Sequence, residues 1–162
     1  MKNIEYKKLL NNPNFSKLII TKKNNTNEFD NHNYQNLEVT DCDNLNSLLE
    51  EKKFFDIIIL NEILTSISNI AEILKIIKSM SNDKTRVIVH NKTFFYHIVK
   101  NALNLLIKKK HTFNWLNSNE LSTYFENFGY SLIRKVKKKF IPYDHFLFRF
   151  IKDFTPIKET NG

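Results

Sequence analysis

Three short polar clusters each follow an apolar run in this chain of 162 residues. In FFDIIILNEIL, residues 54–64, Ile57, Ile58, Ile59 and Leu60 give way to Asn61 and Glu62 before apolar residues resume. In TRVIVHN, residues 85–91, the polar pair is His90-Asn91, and LEVT at 37–40 runs into Asp41-Cys42-Asp43. Amides and carboxylates at such places can hold the polar groups of a small molecule, because open α/β sheets bind ligands at the carboxyl ends of their parallel strands. The competing readings are a solvated strand end for Asn61-Glu62 and, for Asp41, a turn in which the side chain bonds its own backbone.

Other chemistry finds little support. The five histidines, His32, His90, His97, His111 and His145, show no HExxH or other ligand spacing, so no metal site is expected. Cys42 is the single cysteine, which excludes an internal disulfide and a cysteine-cluster zinc site, and no base stands beside it in sequence. Ser66 and Ser68 lie outside any nucleophile-elbow context, and no P-loop occurs. Only Gly129 and Gly162 are glycines, whereas most phosphate- and nucleotide-binding loops need glycine where backbone approaches ligand.

The elements that would position the clusters alternate. Residues 17–21 (KLIIT) and 37–40 read as short strands, 55–60 as a strand buried on both faces, and 85–90 as another. Between the last two, Asn69 is a helix cap, and Ile70, Ile73, Leu74, Ile77 and Met80 recur at helical spacing. Further helices are expected at 1–12, as a turn or two over 44–52, and over 94–110, where Phe95, Ile98, Ala102, Leu105 and Leu106 share a side. A last helix begins at NWLNSNEL, with Asn117 and Glu120 placed as a capping box. Leu121, Tyr124, Phe125 and Phe128 form its packing face, and Gly129 stands at its end. Residues 130–139 alternate as a final strand, and the aromatic tail from 142 on reads as a short helix or strand lying on the domain. Strand, helix, strand in succession means α/β. The polar stretch 22–36 reads as loop.

Composition agrees with one globular domain over 1–162: 41 % of residues are apolar and Phe occurs 14 times. The formal charge of +8 is uneven: residues 1–83 hold 10 Lys/Arg against 12 Asp/Glu, and residues 84–162 hold 15 against 5. That basic half, with Lys108-Lys109-Lys110 and Arg134-Lys135-Val136-Lys137-Lys138-Lys139, suits phosphates or an anionic membrane surface. Its aromatics fall at packing positions instead of in a stacking array, so nucleic acid is the weaker partner. With no signal-like N-terminal stretch and no long uncharged apolar run, the expected location is the cytoplasm.

With these residues in view, the chain resembles class I S-adenosylmethionine-dependent methyltransferases over residues 36–141. NLEVTDCDNL (36–45) is similar to the family segment whose strand ends in an acidic turn against adenine. FDIIILNEIL, the 69–80 helix and TRVIVHN resemble its fourth strand, fourth helix and fifth strand. NWLNSNELSTYFENFGYSLIRK (114–135) resembles its late helix-to-strand segment. The resemblance implies a Rossmann-like methyltransferase sheet, mostly parallel and three-layered, with S-adenosylmethionine as cofactor. It implies that Asp41 accepts from the adenine amino group beside the Cys42 backbone N–H, and that Asn61 and Glu62 line the pocket mouth near the methionine part. His90 and Asn91 then face the methyl acceptor, and Trp115 shapes its pocket. The family pattern also has an early strand ending in a G-x-G-x-G-like loop, then a helix, then a strand ending in a ribose-binding acid. Here KKNNTNEFDNHNYQN follows the first strand, 15 residues without glycine and too few for a helix, a strand and a second helix. The sheet is therefore expected to be truncated or degenerate on its N-terminal side, with residues 1–35 divergent and Glu28 or Asp30 standing in for the ribose acid.

Methyl transfer is an in-line displacement that needs alignment more than a fixed catalytic group, so no catalytic residue is assigned. The implied activity is methylation of a small-molecule or glycan-precursor acceptor. The alternatives are a non-catalytic scaffold of the same fold, paired with a glycosyltransferase or an active homologue, and a basic module binding nucleic acid or a membrane surface.

Overall fold

The structure of the chain is a computed structural model, which describes residues 10–22, 35–67, 69–92, 118–137 and 143–150. In chain order its elements are β1 (Lys17–Ile20), β2 (Leu37–Thr40), α1 (Leu45–Glu50), β3 (Ile57–Asn61), α2 (Ile70–Ser79), β4 (Arg86–Lys92), α3 (Ser118–Asn127), β5 (Tyr130–Lys137) and β6 (Tyr143–Phe150). The helices expected over 1–12 (residues 10–12 apart) and 94–110, the cap at Asn117, most of the 22–36 loop, Lys108–Lys110 and Trp115 lie outside the described residues.

Six strands form one sheet in the order β2-β1-β3-β4-β6-β5. The first four are parallel: β1 pairs with β2 and with β3, and β3 pairs with β4. β6 runs antiparallel between β4 and β5. The chain leaves β1 toward β2 on one side and returns to β3 on the other, so the order reverses at β1/β3. In a doubly wound sheet that reversal opens a crevice at the carboxyl ends. The mostly parallel α/β sheet was legible from the continuous apolar runs. The place of β6 was not, because the tail expected to lie on the domain is a full member of the sheet.

The sheet is apolar on both faces because its central strands carry no polar alternation. Leu18, Ile20, Ile58, Leu60, Val87 and Val89 face a core shared with Leu45 of α1, Ile70, Ile73, Leu74 and Ile77 of α2, and Leu121 and Phe125 of α3. Each such side chain contributes about 1.5–3 kcal/mol on burial. Ile19, Ile57, Ile59 and Ile88 face the other way, with Leu10, Phe15, Leu37 and Val39. All three described helices thus pack on one face, and Leu10 and Phe15, ahead of β1, lie on the other. Asn69 caps α2 as its residue type suggests, accepting a hydrogen bond from Glu72 N–H at 3.2 Å.

Several boundaries shift by a residue or two, and two of the shifts have a visible cause. β3 begins at Ile57, after Phe55 and Asp56, because Phe55 N–H donates to the Met80 carbonyl and Asp56 clamps Ser16. Ser16 N–H and Oγ–H both donate to Asp56 Oδ2, at 2.9 and 3.0 Å, which levels the amino ends of β1 and β3. β4 runs two residues past His90, since its ladder with β6 continues to Lys92↔Tyr143. On α3, Leu121 and Phe125 are buried as expected, whereas Tyr124 is 41 % exposed. Phe125 stacks on Phe148 with centroids 4.1 Å apart, which ties α3 to β6. Gly129 sits at φ 90 between α3 and β5, where a side chain would clash.

Candidate functional site

The carboxyl ends of β1, β2, β3 and β4 line one edge of the sheet. Asp41 follows Thr40 at the end of β2 and is buried. Its Oδ1 accepts hydrogen bonds from Asp43 N–H and Asn44 N–H, both at 3.1 Å, so the carboxylate is locked by its own turn before α1. One oxygen therefore shapes the turn and Oδ2 is left for another donor. Cys42 beside it is half-buried against the core. Burial first, then the charges of Asp41 and Asp43, push its thiol up from 9.0 to about 11, which makes it a packing residue and a poor nucleophile.

Asn61 closes β3 and is buried, but its side chain turns to β1. Asn61 Nδ2 donates to Thr21 Oγ1 at 3.3 Å, and Thr21 Oγ1 donates to the Asn61 carbonyl at 3.4 Å. Thr21 is fully buried and its N–H donates to the Thr40 carbonyl at 3.0 Å. One threonine thus ties together the ends of β2, β1 and β3 at the point where the strand order reverses. The sequence reading missed Thr21 as a site residue, taking it only as the last residue of a strand. Its position after β1, where a glycine loop would start, was the available signal.

Glu62 adopts φ 55, the left-handed region, which costs a non-glycine residue about 1–2 kcal/mol. Its N–H donates to the His90 carbonyl at 2.8 Å, fastening the end of β3 to β4. Held strain of this kind at a strand end marks the spot as constrained by its surroundings. Asn61 and His90 are register partners. His90 and Asn91 alternate in direction, so they cannot share a pocket wall: Asn91 lies on the face of Val87 and Val89, and His90 on that of Ile88. Asn91 is 7 % exposed and its Oδ1 is buried with no hydrogen-bond partner.

The strand ends thus bring Asn61, Glu62 and His90 together, with Asn91 next along the chain. Asp41 stands two strand spacings from β3, roughly 10 Å. Trp115 lies outside the described residues. Among the described residues no group of three or more His, Cys, Asp or Glu could hold a metal ion, and no helix is long and apolar enough to cross a membrane.

A family model described as "Methyltransferase domain" matches residues 6–135. The chain belongs to the methyltransferase domain family. Solved structures agree on the fold of this methyltransferase domain. The trans-methyltransferase CalH, solved in complex with SAH, matches 88 % of the chain and 54 % of its own length at 13 % identity and TM-score 0.62. PigF with SAH matches 84 % and 48 % at 16 % identity and TM-score 0.55. The mitomycin 7-O-methyltransferase MmcR matches 83 % and 48 % at 11 % identity and TM-score 0.55. The methyltransferase domain therefore spans about half the length of these structures. No curated protein matches it in sequence.

Proposed function

We propose that this methyltransferase domain binds S-adenosylmethionine along the carboxyl edge of its sheet and transfers the methyl group to a small-molecule or glycan-precursor acceptor. The observation that carries the reading is that Asp41, Glu62 and Asn91 all stand at carboxyl ends of parallel strands along one edge, Asp41 on one side of the strand-order reversal and Glu62 and Asn91 on the other. The donor set fits the adenosyl end: Asp41 is fixed through Oδ1, and Oδ2 offers a rigid acceptor for an exocyclic amine. The Cys42 backbone N–H lies next to it. Glu62, held at a fixed backbone angle, sets the mouth of the site on β3 with Asn61 behind it. Of His90, Asn91 and Trp115, the residues expected on the acceptor side, His90 and Asn91 project to opposite faces of β4, so we assign that side to Asn91 and Trp115.

The chemistry the cofactor supplies is an activated methyl group on a sulfonium. The chain's own part is to hold donor and acceptor in line and to keep water from the reacting centre. A general base is optional and depends on the acceptor, so none is assigned.

A second reading is favoured by a specific pair of side chains. Thr21 and Asn61 bond each other across the carboxyl ends of β1 and β3, and no glycine occurs between Thr21 and Asn36. On that reading the fold serves as a non-catalytic module, paired with a glycosyltransferase or an active homologue. The edge strand β5, with Arg134 and Lys135, is its route to an anionic surface.

Equilibrium dialysis of the full chain against labelled S-adenosylmethionine separates the two. Micromolar binding supports the enzyme reading; no binding up to millimolar cofactor supports the scaffold.

A further inference from the structure

Most buried polar groups in the described structure are satisfied locally. Thr85 Oγ–H donates to the Phe55 carbonyl at 2.7 Å, Ser81 and Tyr130 share a hydrogen bond at 3.2 Å, and Thr21 pairs with Asn61. Asn91 Oδ1 is the exception, the one buried side-chain oxygen or nitrogen without a partner among the described residues. A buried carbonyl left in that state destabilises the fold, and strands prefer β-branched residues at such places. An apolar side chain would continue the face of Val87 and Val89 without that cost.

Its surroundings say what would satisfy it. Along β4 the same face is apolar, and the neighbouring strand adds Leu60, register partner of Val89, with Ile63 and Leu64 buried just beyond. Asn91 Oδ1 can only accept a hydrogen bond, so on this apolar face it needs a donor. The position is also the carboxyl end of a parallel strand, on the edge where this fold takes ligands.

We infer that Asn91 Oδ1 is a recognition point for an O–H or N–H donor on an otherwise apolar methyl acceptor. The inference rests on the proposed methyltransferase function and adds the acceptor's chemistry: an apolar body with a hydrogen-bond donor presented to β4. Asn91 acts by recognition, and takes no proton in the reaction.

Phenol and anisole, which differ by the donor hydrogen, probe it on the purified full chain. Binding is read from the Asn91 side-chain amide resonance in the wild type and from competition in Asn91→Val, with thermal midpoints alongside. Wild type is expected to hold phenol roughly three- to tenfold tighter than anisole, the ratio one neutral hydrogen bond supplies. Asn91→Val is expected to hold both alike and to melt about 2–4 °C higher, since the orphaned carbonyl is gone. Equal binding in wild type overturns the inference. So does a lowered midpoint in Asn91→Val, which would mean the carbonyl is satisfied within the fold. S-adenosylhomocysteine titrated into the same protein tests the parent reading separately. Binding of it with no phenol preference overturns this inference alone, and the reverse pattern overturns the methyltransferase reading while Asn91 keeps its donor site.

Discussion

Thr21 and Asn61 hold each other across the carboxyl ends of β1 and β3, with Asn61 Nδ2 donating to Thr21 Oγ1 at 3.3 Å in a fully buried setting. This contact ties the two strand ends together at the point where the strand order reverses. Thr21→Ala leaves Asn61 Nδ2 without an acceptor and is expected to cost about 1–3 kcal/mol in urea unfolding. Thr21→Ser keeps the hydroxyl and should lose well under that. Equal losses in the two variants would show that the methyl group, and not the hydrogen bond, holds the strand ends.

Glu62 supplies a test of backbone strain. Glu62→Gly and Glu62→Ala both remove the carboxylate and differ in tolerance of φ 55. At an ordinary strand position alanine is the more stable by roughly 0.5–1 kcal/mol; here glycine should lead by about 1 kcal/mol. Thermal unfolding of the pair reads the difference, and alanine ahead of glycine would mean that the left-handed turn is not kept. Both variants should weaken S-adenosylhomocysteine binding alike, because both lack the same carboxylate.

Cys42 predicts an alkaline response. Its folded-state thiol is pushed up to about 11 from 9.0, so the folded chain keeps a proton that the unfolded chain releases. Stability from this group is intact below pH 9 and is lost as pH rises through about 11. Cys42→Ser should flatten that part of the stability profile. Iodoacetamide at pH 8 should modify the folded chain far more slowly than the urea-unfolded chain, and equal rates would contradict the burial of the thiol.

The parts of the fold that were legible in sequence are those with a single dominant physical signal. Ile57–Leu60 could only be a strand buried on both faces, and the Asn69 cap with its helical apolar period could only start α2. Gly129 marked the end of α3 for the same reason, since φ 90 excludes a side chain. What was not legible depends on pairing over long distances. HFLFRF carries no turn or period that says it enters between β4 and β5, and β4 runs on through Asn91 and Lys92 because β6 supplies partners that the local sequence does not announce. In the site, Asp41 was readable as acid after strand, but its division between turn and open oxygen depends on how the turn aims the Asp43 and Asn44 N–H groups at Oδ1. Thr21 was invisible because its role comes from a residue 40 positions away.

The insertion of β6 has its own test. Phe125 stacks on Phe148 at 4.1 Å and meets Tyr130 edge-on at 5.6 Å. Phe125→Ala should cost about 3–5 kcal/mol in chemical unfolding, as expected for an aromatic at the junction of α3, β5 and β6. A loss below 1 kcal/mol would show that β6 is not docked on this core.

Asp41 carries the central claim, that the carboxyl edge of this methyltransferase domain holds S-adenosylmethionine or its product through a carboxylate fixed by its own turn. Asp41→Asn keeps an Oδ1 acceptor for Asp43 and Asn44 and replaces Oδ2 with a donor, so the turn persists and recognition of an amine is lost. Calorimetric titration of S-adenosylhomocysteine into the full chain and into Asp41→Asn is the most direct measurement. Micromolar binding to the wild type, at least tenfold weaker in the variant at unchanged thermal midpoint, is the expected result. No heat of binding up to millimolar ligand in the wild type, or equal affinity in the two proteins, would contradict it.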